Sequence, residues 1–296
     1  MISRTTLSTT VRNFLADLNG NNRLLDQAQR QVSTGKRIST PADDAIGITT
    51  SLRLRSDRAS NAAWQSNIQD SLTWLSTTDT ALANALDVVQ RARELTIQGS
   101  NGALSQTGRG VIADEVDQLA KQMVEVGNAT LGGRYLFGGT KTQTPPFTST
   151  GTYQGNTGNL TREVDLASTT AVNVTGDRLV GPGGSTPNIF TALTTLATDL
   201  RNNNTAGVQG ALATLDAHMT NLNALRGEVG GKTNKLEMTL DRHSATDLAS
   251  LDQISQVEDA DMALAITQLQ SRETVYRATL GVGGRVLPPS LIDFLK

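Results

Sequence analysis

The chain has 296 residues, of which 37% are hydrophobic and only 3% aromatic, so it lacks the Phe, Tyr and Trp that usually fill one thick globular core. Its 26 basic and 28 acidic side chains nearly balance, which leaves no surplus of cations for a surface that grips nucleic-acid phosphates. There is no cysteine, which excludes disulfides and thiolate metal sites.

Residues 1–10 are polar and lack the apolar run of a secretory signal, so no cleaved signal peptide is expected. No segment has the roughly 18 apolar residues that cross a bilayer, so no membrane insertion is expected. Next comes a seven-residue repeat. Val11, Leu18, Leu25 and Val32 share one spacing, with Phe14 and Ala28 between them. That spacing keeps an apolar stripe along a helix and favours pairing with another helix. Gly35 should stop this helix, as glycine does at a C-terminal cap.

In Thr40-Pro41-Ala42-Asp43-Asp44 a second helix should start, with Thr40 as cap, Pro41 in the first helical position and both carboxylates near the positive end. No further proline occurs before Gln98. Ile68, Leu72, Leu75, Leu82, Leu86 and Val89 keep to one helical face, with Asp79 as a polar interruption. A helix over about 55–98 would be roughly 65 Å long at 1.5 Å per residue, the length of a rod. Gly99 to Gly102 form a turn cluster. A third helix is expected from about Gln106 to Val126, with Ile112, Val116, Leu119, Met123 and Val126 on one face and Gly127, Gly132 and Gly133 ending it.

Composition changes after Gly138. Residues 141–188 hold four of the seven prolines and much Gly, Thr and Ser. Leu160 to Leu166 and Thr169 to Thr175 partly alternate apolar and polar, as half-buried strands do. Helical periodicity returns near Asn188, first over Phe190, Leu193, Ala197 and Leu200. It then continues along a long segment marked by Leu212, Leu215, Met219, Leu222, Leu236, Leu240, Leu251 and Ile254. Met262, Ile266, Leu269 and Tyr276 mark the last stripe. Gly281, Gly283, Gly284, Pro288 and Pro289 should break it before a short tail.

The fold class is therefore mainly α. The expected architecture is an elongated, discontinuous helical bundle with coiled-coil ends and a small β-rich tip. Residues 1–38 and 256–296 would be terminal coiled-coil helices for polymerisation, 39–140 and 189–255 a helical rod, and 141–188 the tip. The apolar surface that the first helix can bury falls well short of the entropy cost of ordering it. Both ends should thus be loose in an isolated chain and ordered by neighbours. The candidate subunit-interface residues are Val11, Leu18, Leu25 and Val32 at one end, and Met262, Ile266, Leu269 and Tyr276 at the other.

Chemistry has little to work with. His218 and His243 are far apart, without the His-Glu-x-x-His spacing of a zinc site. Asp43 and Asp44 sit where helix capping explains them. Glu258, Asp259 and Asp261 lack the glycine and ligand spacing of a calcium loop, so a solvated face or a subunit contact is expected. Gly35-Lys36 lacks the upstream glycine and the preceding strand of a phosphate loop, and Gly281-Val-Gly-Gly284 is no dinucleotide fingerprint. Asn-x-Thr triplets begin at Asn128, Asn159, Asn173 and Asn203; a chain this rich in Asn and Thr produces them by chance. No catalytic, metal or cofactor site is assigned.

Three blocks resemble the flagellin superfamily. They are Val32-Ser-Thr-Gly-Lys-Arg-Ile-Ser-Thr-Pro-Ala-Asp-Asp44, the stretch from Asn67-Ile-Gln-Asp-Ser to Gln90-Arg-Ala-Arg-Glu-Leu-Thr-Ile-Gln-Gly99, and Glu258-Asp-Ala-Asp-Met-Ala263. Within that superfamily, Gly133-Arg-Tyr-Leu-Phe-Gly-Gly-Thr-Lys-Thr-Gln-Thr-Pro-Pro-Phe147 and the tail Leu287-Pro-Pro-Ser-Leu-Ile-Asp-Phe-Leu-Lys296 resemble the hook-associated protein 3 family of hook–filament junction proteins. The resemblance implies export through the flagellar type III apparatus and a place on the extracellular flagellum. It implies self-assembly into a ring, with the first hook-associated protein on the hook side and flagellin on the filament side. It also implies a cytoplasmic chaperone at the C-terminal region and no cofactor. Flagellin itself is the alternative. An enzyme with its site in 141–188 is disfavoured, because that stretch has six charged residues and neither His nor Cys. A cytoplasmic coiled-coil adaptor would be found only inside cells.

Overall fold

In a computed structural model the protein is described over residues 7–181 and 186–286. The start at 1–6 and the tail from 287, both read above from sequence, lie outside the described residues. Helices α1 (Leu7–Thr34), α2 (Ala45–Gly99) and α3 (Gln106–Gly127) come first. Strands β1 (Thr130–Leu131), β2 (Arg134–Tyr135), β3 (Thr161–Asp165) and β4 (Ser168–Ala171) follow. Then come α4 (Gly176–Val180), α5 (Ile189–Arg201), α6 (Thr205–Glu258) and α7 (Met262–Val286). The fold is mainly α with a small antiparallel β part, as expected.

The chain forms two units. One comprises the described residues up to Ser60 with those from Thr246 onward; the other spans Asn61–Ala245. In the second unit α3 packs on α5, and both join a core with α2, α6 and the strand region. Ile68, Leu75, Leu82, Val89 and Leu95 of α2 are buried there, which is the face read from sequence continued by one turn. Asp79, the interruption, is paired with Arg226 of α6 at 2.9 Å. Leu193, Leu196 and Leu200 of α5 and Val116 and Met123 of α3 complete the packing.

β1 and β2 are joined by Gly132 and Gly133, with φ of 56° and 77°. A two-residue hairpin needs two left-handed residues for its twist to match the strands, and only glycine adopts that conformation cheaply. β3 and β4 form a second hairpin with a register shift between Glu163 and Asp165. Phe147 ties the loop before it to the helices. Its backbone exchanges two 3.0 Å hydrogen bonds with the Asn128 amide, and its ring meets Tyr153 and Phe190 at 5.3 Å.

Three local readings of the sequence change. The second helix starts at Ala45, so Thr40 does not cap it and Pro41 is not its first residue. Asp44 caps instead, accepting the Gly47 amide at 2.8 Å, while Asp43 closes the preceding turn by accepting the amides of Ser39 and Thr40. The glycines at 281, 283 and 284 do not break α7, which continues to Val286. Helix α4 was not expected; it is too short to show a periodicity.

Candidate assembly surface

Helices α1 and α7, the first and last described, pack on each other. On α1, Leu25 and Ala28 are buried, and Val11, Leu18 and Val32 are half-buried. On α7, Ala265 is buried, Leu269 and Tyr276 are half-buried, and Gly283 is buried under the Phe14 ring. A Cβ at Gly283 would lie 2.2 Å from Phe14 Cζ, so glycine here lets the two helices approach. Asn21 donates to the Thr279 hydroxyl at 2.9 Å across the same seam. Ala265, Leu269, Tyr276, Thr279 and Gly283 fall on one helical stripe by the 3.6-residue period.

Met262 and Ile266, expected on the α7 stripe, lie beside it and are exposed. Leu280 joins them on that flank. The other flank carries Leu264 at 56% exposure, Val275, and Val282 at 56%. On α1, Leu15 and Leu24 are likewise exposed. An open groove of about 650 Å³ runs between the helices, lined by Phe14, Leu24, Val275 and Val282 with Asp17 and Asn21 among the polar contributors. The sequence reading placed one apolar stripe on each helix and missed these flanks. Leu264, Val275 and Val282, spaced eleven and seven apart, were the available signal.

Where α1 ends and α7 begins, the chain is tied together. Gly35, with φ of 69°, turns the backbone out of α1. Its carbonyl accepts the Ala260 amide at 2.9 Å, and the Arg37 amide donates to the Glu258 carbonyl at 2.6 Å. The Glu258 side chain is buried between them at 6% exposure. One carboxylate oxygen accepts from Lys36 Nζ at 2.8 Å and from an Arg55 terminal nitrogen at 2.6 Å. The other accepts from Arg55 Nε at 3.2 Å and from the Ser51 hydroxyl. Burial alone would raise the Glu258 pKa, but the Lys36, Ser51 and Arg55 donors outweigh it and hold the group at about 2. Asp261 then caps α7, accepting the amides of Ala263 and Leu264. Glu258 is thus neither on a solvated face nor free for a partner.

The histidines pack. His218 is buried with Nε2 2.9 Å from the Pro187 carbonyl, and burial lowers its pKa. His243 is buried with Nε2 2.9 Å from the Val164 carbonyl and its ring 5.6 Å from Trp64. Three of the Asn-x-Thr asparagines are also structural, Asn128 through its two bonds to the Phe147 backbone. Asn173 is buried, bonded to the Leu160 amide and the Gly158 carbonyl, and Asn203 accepts from Arg109. Among the described residues no group of three His, Cys, Asp or Glu could hold a metal ion, and no helix is long and apolar enough to cross a membrane.

These features define an α-helical structural protein whose paired end helices keep apolar flanks exposed. Residues 7–142 match the bacterial flagellin N-terminal helical region. That region is shared with bacterial flagellins and their relatives, flagellar structural proteins that are not enzymes. It is similar to flagellar hook-associated protein 3 of Escherichia coli K12, at 28% identity over 272 residues, covering 84% of this chain and 86% of the relative. Flagellin of Listeria monocytogenes is 25% identical over 265 residues, covering 90% and 89%. A crystal structure of Bacillus cereus FlgL matches with a TM-score of 0.61 and 25% identity, over 69% of this chain and 99% of that one.

Proposed function

We propose that this chain is a hook–filament junction protein that assembles with copies of itself into a ring and presents a platform on which flagellin polymerises. The observation that carries the reading is the α1–α7 pair with apolar flanks open on both sides of its seam. Exposed Leu and Val at helical spacing lose water when a neighbouring helix covers them, at roughly 25 cal/mol per Å² of apolar area. Val11, Leu18, Leu25 and Val32 with Leu269 and Tyr276 then serve the seam within each copy. Met262 and Ile266 with Leu264, Val275 and Val282 serve contacts between copies. The likeness to hook-associated protein 3 over most of the chain supports the junction rather than the filament.

On this reading the hook side meets the first hook-associated protein and the filament side meets flagellin. A cytoplasmic chaperone covers the C-terminal helix before export through the flagellar apparatus to the cell exterior. A clean gene deletion tests it. Bare hooks with flagellin released into the medium are expected, because export continues without a platform. Normal filaments on the deletion strain would overturn the junction role. The likeness to Listeria flagellin favours a second reading, a filament subunit. Loss of both filament and secreted flagellin would select it.

A further inference from the structure

The turn between α2 and α3 holds an Asn-Gly pair, Asn101-Gly102. Both residues are exposed, and Gly102 has open space where a side chain would stand. A backbone nitrogen reaches the preceding side-chain amide most easily when it belongs to glycine, because no Cβ shields it and the backbone bends freely. The Gly102 amide hydrogen has no acceptor among the described residues. Two further features single this turn out. The Asn101 side-chain carbonyl accepts the Ala103 amide at 3.0 Å, which folds the side chain forward across Gly102 and polarises its Cγ. The Asn101 backbone carbonyl accepts Arg109 Nη2 at 2.8 Å and the Leu104 amide at 3.1 Å. Arg109 is 4% exposed, and its other acceptors, the Gly99 carbonyl at 2.9 Å and the Asn203 side chain, are neutral. A cation withdrawn from water is thus set directly on the Asn101–Gly102 peptide.

We propose that Asn101-Gly102 is a self-deamidating site, activated by Arg109, which converts with time to an acidic residue in the folded chain. Loss of the Gly102 amide proton to hydroxide leaves an anion shared between that nitrogen and the Asn101 backbone oxygen. The guanidinium donates to that same oxygen and stabilises the charge. The nitrogen then attacks Asn101 Cγ. A new N–Cγ bond closes a five-membered ring, and the side-chain oxygen takes up the electron pair while the Ala103 amide donates to it. The pair returns, the Cγ–Nδ2 bond breaks, and Nδ2 takes a proton from solvent and leaves as ammonia. Water adds to one carbonyl of the resulting succinimide and opens it to isoaspartate or aspartate. Either product adds one carboxylate and lowers the formal charge by one from −2. In isoaspartate that carboxylate is the former Asn101 backbone carbonyl, which Arg109 already holds, so the buried cation exchanges a neutral partner for an anionic one.

The test is an incubation of the full-length protein in mildly alkaline buffer beside a synthetic peptide of residues 94–109. Trypsin releases the same stretch from the protein, and mass spectrometry follows the gain of one mass unit, with fragment spectra placing it at position 101. A fold ordinarily restrains ring closure, so a faster rate in the folded protein reports activation. The protein should deamidate about tenfold faster than the peptide. A rate equal to or below that of the peptide overturns the proposal. Arg109→Met should fall to the peptide rate. Asn203→Ala loosens the same turn but leaves Arg109 on Asn101, and it should keep the acceleration. An equal fall in both variants overturns the role of Arg109, because it would trace the rate to the turn's general order.

Discussion

Two side chains show how single residues hold this fold. Arg109 of α3 is 4% exposed, and its guanidinium donates to the carbonyls of Gly99 and Asn101 at 2.9 and 2.8 Å and to the Asn203 side chain. It therefore satisfies the carbonyl end of α2, where the helix dipole is negative, and clamps the α5–α6 turn at the same time. Arg109→Met should destabilise the unit of residues 61–245 by about 3 kcal/mol, because buried acceptors lose a charged donor. A lower urea midpoint at unchanged slope would report it. Glu258 works in the other unit. Its stabilisation is present above about pH 4.5 and lost as pH falls through about 2. Its Lys36 and Arg55 partners are 41% and 49% exposed, so solvent screening reduces the contribution to about 2 kcal/mol. Acid titration of Glu258→Gln should lose that slope from the end-helix unit only. Glu228, held at about 2 by Arg178 and Lys232, keeps the slope in the other unit. Neither Arg109 nor Glu258 could be read from sequence. Periodicity encodes which face of a helix is buried, but an ion's partners 203 or 94 residues away leave no local pattern.

Elements were more legible. The seven-residue stripe of α1, the end of α2 at Gly99 and the limits of α3 follow from apolar spacing and from glycine and serine caps that act within a few residues. The start of α2 was misread because Thr40-Pro41 and Asp43-Asp44 both fit a helix start, and only the hydrogen bonds separate turn from cap. The end of α7 was misread because glycine normally disfavours helix, and Gly283 is there to accept the Phe14 ring. Replacing Gly283 with alanine gains roughly 1 kcal/mol of helix propensity, yet the added carbon meets an aromatic ring with little room. Gly283→Val should therefore raise amide hydrogen exchange across α1 and α7 while leaving α3 and α5 unchanged. Gly47 offers the parallel case in α2, where a Cβ would lie 2.5 Å from Ile38 Cδ1. Uniform exchange between wild type and Gly283→Val would show that the seam tolerates the extra volume.

At the scale of the whole molecule, the proposed assembly separates from folding. Leu264, Val275 and Val282 are exposed in the single chain, so charging them costs the fold little and removes apolar area from any contact with a neighbour. Val275→Lys should leave the thermal unfolding midpoint within about 2 °C of wild type. It should also raise the protein concentration needed for self-assembly at least tenfold, which is roughly 1.4 kcal/mol. Light scattering on purified protein would read both. An unchanged assembly threshold would remove the α7 flank from the interface.

The Asn21–Thr279 bond spans 258 positions, so one unit joins segments far apart in the sequence. Pairing over such separation is slow to nucleate, and it cannot begin until α7 has been synthesised. A ribosomal product cut short before α7 carries α1 but has nothing to seat it against. Premature termination or proteolytic trimming thus yields chains that lack the paired helices.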